Sequence, residues 1–271
     1  MIKLLKVLPP CWLPFIGSQE TTQIRDNGNM SILMTARFSD TVAKLSQLER
    51  GNPHGLAEVA FAGRSNAGKS SCINVLCNQK RLAYSSRTPG RTQALNLFAV
   101  GPVRQPLPIG FLVDTPGYGF ATASLQAKKS WQALAGDYMT SRQPLTGIVL
   151  MIDIRRGLTD MDRQLISWIP GSLPLILVLT KADKLSRQQG LGIRRSLLQD
   201  PLVLGREGPV LLQIFSALHR YGLEPLRESI SSLLTGSAAE WAFLTSRYSG
   251  PYAPIILKTQ GSGASVHSVQ P

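Results

Sequence analysis

The stretch that decides the fold is Gly63-Arg64-Ser65-Asn66-Ala67-Gly68-Lys69-Ser70, which follows the apolar run 59–62. It has the pattern G-x-x-x-x-G-K-S between a predicted strand and a predicted helix, the context of a phosphate-binding loop. Its glycines allow backbone N–H groups to surround a phosphate chain, and the following helix presents the positive end of its dipole. We expect Lys69 to reach the terminal phosphates and the Ser70 hydroxyl to bind Mg²⁺. The loop therefore predicts a nucleoside triphosphate ligand.

Apolar runs alternate with helical periodicities along the chain. This alternation predicts an α/β fold, a mostly parallel sheet of six strands with helices on both faces. The predicted strands are 58–62, 94–100, 109–113, 146–152, 173–179 and 210–215, and the predicted helices are 69–76, 124–138, 160–168, 186–198 and 223–234. Because the connection between 94–100 and 109–113 is too short for a crossover helix, these two strands should be antiparallel and supply the one antiparallel edge.

A second motif, Asp114-Thr115-Pro116-Gly117, follows the strand 109–113 and has the pattern D-x-x-G. An Asp at the carboxyl end of a strand beside the phosphate loop can hold Mg²⁺, usually through water. The N–H of Gly117 can meet the γ-phosphate. Alone the pattern is common and is also typical of an ordinary strand-to-loop turn.

The third motif is Thr180-Lys181-Ala182-Asp183, at the end of an apolar strand. A carboxylate can accept both N–H groups of the guanine Watson–Crick edge, whereas adenine lacks that donor pair, so Asp183 should select GTP over ATP. The Lys181 stem can lie over the base. Thr180 stands in place of the usual Asn in bracing the loop, which leaves the strength of selection open. Phe215-Ser216-Ala217 closes the last strand, where a backbone N–H could meet guanine O6.

The segment Gly90-Arg91-Thr92-Gln93-Ala94 lies between the first helix and the second strand. Its Thr92 hydroxyl is placed to reach Mg²⁺ when a γ-phosphate is present, as in a loop that switches with the bound nucleotide. The plainer interpretation is a Pro-Gly turn with an incidental Thr.

Together these strings resemble the bacterial EngB family of GTPases over residues 34–236. The strings are GRSNAGKSS, TPGRTQ, DTPGYG, LTKADKL and the segment Ile152-Asp153-Ile154-Arg155. The resemblance implies a P-loop GTPase of the Ras-like G-domain fold and a magnesium-dependent GTP switch. It also implies a role in maturation of the large ribosomal subunit and in normal cell division and septation.

The catalytic residues that we expect are Lys69, Thr92 and Gly117, with Tyr118 where many GTPases have a water-orienting Gln. Because tyrosine cannot take that role in the same way, intrinsic hydrolysis of GTP should be slow. By resemblance to related GTPases, Asn66 and the switch loop are a candidate site for K⁺ in place of an arginine finger.

The net charge is the strongest signal in the composition. The 29 Lys and Arg against 16 Asp and Glu give +13, and the pI is about 10.1. Such an excess suggests a polyanionic partner, and we expect ribosomal RNA. The segment with Lys80, Arg81, Arg87 and Arg91 contains no acidic residue and includes the predicted switch loop, although it could also be a solvated face.

The two ends of the chain differ from its centre. We expect residues 1–34 to be an N-terminal extension, disordered or upstream of a true start at Met30 or Met34. We expect a G domain at 35–236 and a largely disordered tail at 237–271. No apolar run is long enough to span a membrane, and three cysteines, an odd number without metal-type spacing, fit a reducing cytoplasm. We expect a monomer without stable membrane insertion.

Three functions compete at this point. A nucleotide-gated ribosome-assembly factor explains the guanine motifs and the charge together. A small-molecule kinase leaves the motifs at 88–93 and 180–183 unexplained. A division-associated GTPase switch on a protein or membrane scaffold explains the GTPase motifs but needs an anionic membrane to explain the charge. We favour the first.

Overall fold

The structure is a computed structural model, and it describes residues 31–84, 94–119, 131–236 and 241–257. In these ranges one eight-stranded sheet has the order β1-β3-β4-β2-β5-β6-β7-β8. The strands are β1 (Arg37–Val42), β2 (Ala57–Gly63), β3 (Leu95–Val100), β4 (Gly110–Asp114), β5 (Leu145–Asp153), β6 (Leu175–Thr180), β7 (Val210–Ile214) and β8 (Ile255–Leu257). Strands β4, β2, β5, β6 and β7 are parallel neighbours.

The expected α/β fold and the antiparallel pairing of β3 with β4 are confirmed. All six predicted strands are present, but the sheet has two more. Strand β1 pairs with β3 and strand β8 pairs with β7, both antiparallel, so β3 is not the edge. Strand β1 is mostly polar and exposed, and β8 has three residues, so neither has the apolar run that marks a buried strand.

Helices cover both faces of the sheet, as predicted. The α-helices are α1 (Leu48–Gly51), α2 (Lys69–Leu76), α3 (Asp137–Ser141), α4 (Asp160–Trp168), α5 (Arg187–Leu198), α6 (Pro201–Leu204), α7 (Leu223–Leu234) and α8 (Trp241–Arg247). Helices α3 to α6 pack on one face, and α2, α7 and α8 pack on the other. Two apolar cores thus hold the sheet between two layers of helices.

The predicted helix 124–138 is found only in part. Residues 124–130 lie outside the described residues. In the remainder a π-helical turn, Gln132–Gly136, leads into α3. In a π-helical turn the backbone hydrogen bonds join residues i and i+5, and this local widening cannot be recognised from a 3.6-residue periodicity in the sequence.

The expected domain boundaries at 35 and 236 are too narrow. A 3₁₀ turn at Ile32–Thr35 buries Leu33 completely. Beyond residue 236, helix α8 buries Trp241, whose Nε1 donates to the Ser232 hydroxyl at 2.8 Å. The residues 241–257 that we expected in a largely disordered tail are therefore part of the folded unit.

A buried carboxylate ties β2 to α3. The Glu58 side chain is fully buried, and it accepts hydrogen bonds from Asn52, Tyr138 and Arg142 at 2.7–2.8 Å. Burial, and next to it the charge of Glu58, raises the pKa of Tyr138 well above its usual value, so the phenol stays a donor. The cluster fixes the start of β2, and the strand in turn leads into the phosphate-binding loop.

Replacing Arg142 with methionine should lower the free energy of unfolding by about 3 kcal/mol, because it leaves the Glu58 charge buried without its cationic partner. Urea denaturation measures the change. The control is Arg50→Met, which breaks the more exposed Arg50–Asp40 pair and should cost less than about 1 kcal/mol. Equal losses in the two variants would contradict a stabilising role for the buried cluster.

Candidate nucleotide-binding site

The predicted site segments meet at one edge of the sheet. Strands β2, β4, β5, β6 and β7 are parallel, so their carboxyl ends lie on the same side. The phosphate-binding loop leaves β2 there, β4, β5 and β6 end in the polar residues Asp114, Asp153 and Thr180, and Ser216 lies two residues after the end of β7. This is the edge of an open α/β sheet where ligands are bound.

The phosphate-binding loop is a strained turn between β2 and α2. Asn66 has φ of 62°, and Gly68, at the start of α2, has φ of 97°. A Cβ on Gly63 would lie 2.8 Å from the carbonyl oxygen of Met151, so only glycine fits at the end of β2. The first amides of α2 have no carbonyl partner within the helix, which makes the helix start favourable for an anion.

The D-x-x-G segment is fixed directly beside this loop. The N–H of Ser65 donates to the carbonyl oxygen of Tyr118 at 2.8 Å, and the N–H of Tyr118 donates to Gly63 at 3.3 Å. The Thr115 hydroxyl donates to the Phe61 carbonyl oxygen at 2.8 Å. A Cβ on Gly117 would lie 3.1 Å from backbone atoms of Ser65. The structure therefore brings the first two predicted motifs into contact.

Lys69 and Asp114 form the most buried ion pair at this edge. The Lys69 Nζ lies 2.5 Å from Asp114 Oδ1, and the two side chains are 12% and 6% exposed. The Ser70 hydroxyl faces the Tyr84 carbonyl oxygen at 3.4 Å. The lysine predicted to reach the phosphates thus neutralises the carboxylate predicted to hold a metal.

The two predicted guanine-binding segments also meet. The Ser216 hydroxyl donates to Asp183 Oδ1 at 2.7 Å, and the N–H of Ala182 donates to the Phe215 carbonyl oxygen at 3.1 Å. The hydrogen bond from Ser216 is the main reason that the pKa of Asp183 is lowered. The carboxylate is therefore ionised and has one oxygen fixed in position.

Thr180 braces the phosphate-binding loop. Its buried hydroxyl lies 2.6 Å from the Ala67 carbonyl oxygen and 3.0 Å from that of Ile152. A hydroxyl has one proton, so it donates to one of these oxygens at a time. The threonine that stands in place of asparagine thereby links the loop to β5 and β6.

Replacing Thr180 with valine, which has nearly the same shape, should weaken GDP binding about fivefold. The change removes one buried hydrogen bond of roughly 1 kcal/mol and leaves the Ala67 carbonyl oxygen without its donor. Calorimetric titration with GDP measures it. Thr180→Ser keeps the hydroxyl and should bind GDP nearly as the original chain does; a loss as large as in the valine variant would argue against the hydroxyl as the brace.

Asp153, at the end of β5, is a site residue to which the sequence reasoning assigned no role. It accepts hydrogen bonds from Arg155 at 2.6 and 2.9 Å and from Lys181 Nζ at 2.9 Å. Burial of Asp153 opposes ionisation, but these hydrogen bonds outweigh it and lower its pKa well below the usual value. Lys181 also donates to the Asn66 carbonyl oxygen at 2.6 Å. The sequence did contain a signal for this role, because Asp153 is an acidic residue at the end of a strand that lies next to the phosphate-binding loop.

The Tyr118 side chain points into the protein interior. Its hydroxyl donates to Asp162 Oδ1 at 2.5 Å, and its ring packs edge-on against Trp131 with centroids 5.4 Å apart. Burial, followed by the charge of Asp162, raises the pKa of Tyr118 far above its usual value. Asp162 also caps α4 together with Thr159. Tyr118 therefore joins α4 to the D-x-x-G segment.

Part of the predicted switch loop, Gly90, Arg91, Thr92 and Gln93, lies outside the described residues, and Ala94 directly precedes β3. Within the four described ranges no group of three or more His, Cys, Asp or Glu side chains is arranged to hold a metal ion. No helix in the same ranges is long and apolar enough to cross a lipid bilayer.

Comparison with known proteins agrees with this geometry. Residues 58–181 match the model of a family described as 50S ribosome-binding GTPase. A probable GTP-binding protein EngB of Cupriavidus taiwanensis is 50% identical over 210 residues, covering 76% of this chain and 87% of the relative. The corresponding protein of Burkholderia ambifaria strain AMMD is 47% identical over 213 residues, covering 77% and 95%.

A solved structure shows the same fold. It is Era in complex with MgGDPNP and a segment of 16S ribosomal RNA, with a TM-score of 0.52 and 23% identity, covering 66% of this chain and 56% of that one. The GTPase fold, the matched domain and the extent of identity make this chain a GTP-binding protein that hydrolyses GTP. It belongs to the EngB family of GTP-binding proteins.

Proposed function

We propose that this GTPase is a nucleotide-gated assembly factor of the large ribosomal subunit, monomeric and cytoplasmic, and that normal cell division and septation require it. The observation that carries the proposal is the net charge of +13, which GTP hydrolysis itself does not require and which suits ribosomal RNA. The description of the matched family as ribosome-binding supports the same partner.

In this proposal the phosphates of GTP lie against the loop 63–70, with Lys69 and the N–H of Gly117 at the γ-phosphate. Ser70, Thr92 and Asp114 would hold Mg²⁺ through oxygen, the donor that this ion prefers. The buried Asp114 carboxylate has a cation, Lys69, as its partner, so the position suits positive charge. Bound Mg²⁺ would neutralise charge on the phosphate oxygens.

Guanine would lie over the Lys181 stem, with its N–H groups donating to Asp183. The hydrogen bond from Ser216 supports this role, because it keeps the Asp183 carboxylate ionised and oriented. The neighbouring backbone at Phe215-Ser216-Ala217 would contribute the N–H for guanine O6. The segment 90–94 would order around the γ-phosphate and so distinguish GTP from GDP.

Slow intrinsic hydrolysis is part of the proposal. The Tyr118 hydroxyl is hydrogen-bonded to Asp162 in the interior, which supports the view that residue 118 does not orient a water molecule. Catalysis would rest on Lys69, Mg²⁺ and K⁺ held near Asn66. We expect faster hydrolysis in potassium than in sodium buffer. If the rates in the two buffers are equal, both with and without ribosomes, K⁺ has no part in the mechanism.

The deciding experiment is sedimentation of the purified protein with large ribosomal subunits, in GDP and in a non-hydrolysable GTP analogue, at two salt concentrations. Binding that the GTP analogue favours and that survives the higher salt is the expected result. Binding that does not depend on the nucleotide and disappears at the higher salt would mean that the positive charge attracts RNA only nonspecifically. A division-associated switch on a protein or membrane scaffold would then be the better explanation.

A further inference from the structure

A cleft of about 390 Å³ opens beside the phosphate-binding loop, between loop residues 64–67, the end of β5 and the start of α4. Lys69, Ser70, Asp114 and Asp183 are not among its lining residues. The cleft therefore lies away from the side chains proposed to hold Mg²⁺ and to accept from guanine, and it shares Lys181 and loop residues 64–67 with the nucleotide site.

The charges in the cleft are unbalanced. Four cationic side chains and two acidic ones line it, and both acids already have partners. Asp153 accepts from Arg155 and Lys181. Asp162 accepts from the Tyr118 hydroxyl at 2.5 Å and from the N–H of Thr159 at 2.8 Å. The excess of positive charge makes the cleft suitable for an anion.

Two of the cations in the cleft have no hydrogen-bond or ion-pair partner among the residues that the structure describes. The guanidinium groups of Arg64 and Arg156 form no hydrogen bond or ion pair with any residue in the described part of the chain. Guanidinium is planar, remains charged and matches the oxygens of a phosphate in pairs. A phosphate diester in the cleft would therefore find donors that have no other partner among the residues that the structure describes.

We propose that this cleft binds a backbone phosphate of the RNA partner, next to the phosphate-binding loop. The inference rests on the proposed function for the nature of the partner. RNA is favoured over an acidic protein segment because the whole chain carries +13, and a regular row of phosphates can use charge on the cleft and on the surrounding surface together.

The cleft also communicates with the nucleotide side of the loop. Arg155 donates to Asp153, Asp153 accepts from Lys181, and Lys181 donates to the carbonyl oxygen of Asn66. A phosphate that draws Arg155 away from Asp153 leaves Asp153 with Lys181 as its only cationic partner among the described residues. The contact between Lys181 and the loop then changes. RNA and nucleotide binding are then coupled, and the coupling acts equally in both directions.

The test is anisotropy titration of a fluorescently labelled single-stranded RNA oligonucleotide with the full chain and with Arg156→Gln, at several salt concentrations. The variant should bind about fivefold more weakly, and the slope of log affinity against log salt should fall by about 1. GDP affinity without RNA should be unchanged. Saturating RNA should change the GDP affinity of the original chain and have less effect in the variant.

Arg104→Gln is the matched control. Arg104 is an exposed arginine in the turn between β3 and β4, at the opposite edge of the sheet from the phosphate-binding loop. Equal losses in both variants, or no loss in either, would overturn the cleft as a site. Sedimentation with large subunits separates the two proposals. RNA binding through Arg156 without subunit binding would refute only the ribosomal function, whereas subunit binding with no effect of Arg156→Gln would refute only the cleft.

Discussion

Replacing Lys69 with methionine should reduce GTP hydrolysis by about 100-fold or more, because the charge that stabilises the transferring phosphoryl group is lost. The variant should also be less stable without nucleotide, by about 3 kcal/mol. The Asp114 carboxylate would be left with its cation removed in a largely buried position. Single-turnover hydrolysis and urea denaturation measure the two effects.

The double variant Lys69→Met/Asp114→Asn separates catalysis from folding. It replaces both charges of the pair, so the free energy of unfolding should return close to its original value, since no unpaired charge is left buried. Hydrolysis should not return. Recovery of hydrolysis together with stability would mean that Lys69 acts only as the partner of Asp114.

Asp183→Asn should weaken GDP binding by about 100-fold. The carboxylate is expected to accept two hydrogen bonds from guanine, and a hydrogen bond to a charged group contributes about 1.5–3 kcal/mol. The amide retains one acceptor and introduces a donor that guanine does not need. Isothermal titration with GDP gives the loss directly.

Inosine diphosphate makes this test specific for base recognition, because inosine lacks the 2-amino group of guanine. The original chain should bind it about tenfold more weakly than GDP, and Asp183→Asn should bind the two about equally. Asp160→Asn, an exposed change on α4, is the control and should leave both affinities as they were. If Asp183→Asn still bound GDP more tightly than inosine diphosphate, a group other than Asp183 would recognise the 2-amino group of guanine.

The sequence was sufficient for the parts of the site whose spacing is set by local geometry. The glycines and the lysine of a phosphate-binding loop lie within one short segment of sequence, so this pattern can be recognised without knowing the strand order of the sheet. The strand order then places Asp114 and Asp183 at the same edge as Lys69, because the strands are parallel. For these reasons the fold and the meeting of the motifs could be predicted.

What sequence reasoning missed depends on partners that are distant along the chain. The role of Asp153 depends on Lys181, and the placement of Tyr118 depends on Asp162 in a helix that follows β5. Strand β1 is mostly polar and strand β8 has only three residues, so neither can be recognised locally, and pairing with β3 and β7 is what makes them strands. Tertiary contacts override local preference in each case.

Strand β8 has a practical consequence for shortened versions of this protein. Ile255–Leu257 supply backbone partners along the outer side of β7 at residues 210–212. A chain cut before Ile255 would keep all the nucleotide-binding motifs. It would nevertheless expose backbone N–H and C=O groups of β7, a fully buried and mostly apolar strand. An exposed sheet edge of this kind can pair with strands of other molecules. Aggregation, and not loss of affinity for GTP, would be the first sign that a truncation had gone too far.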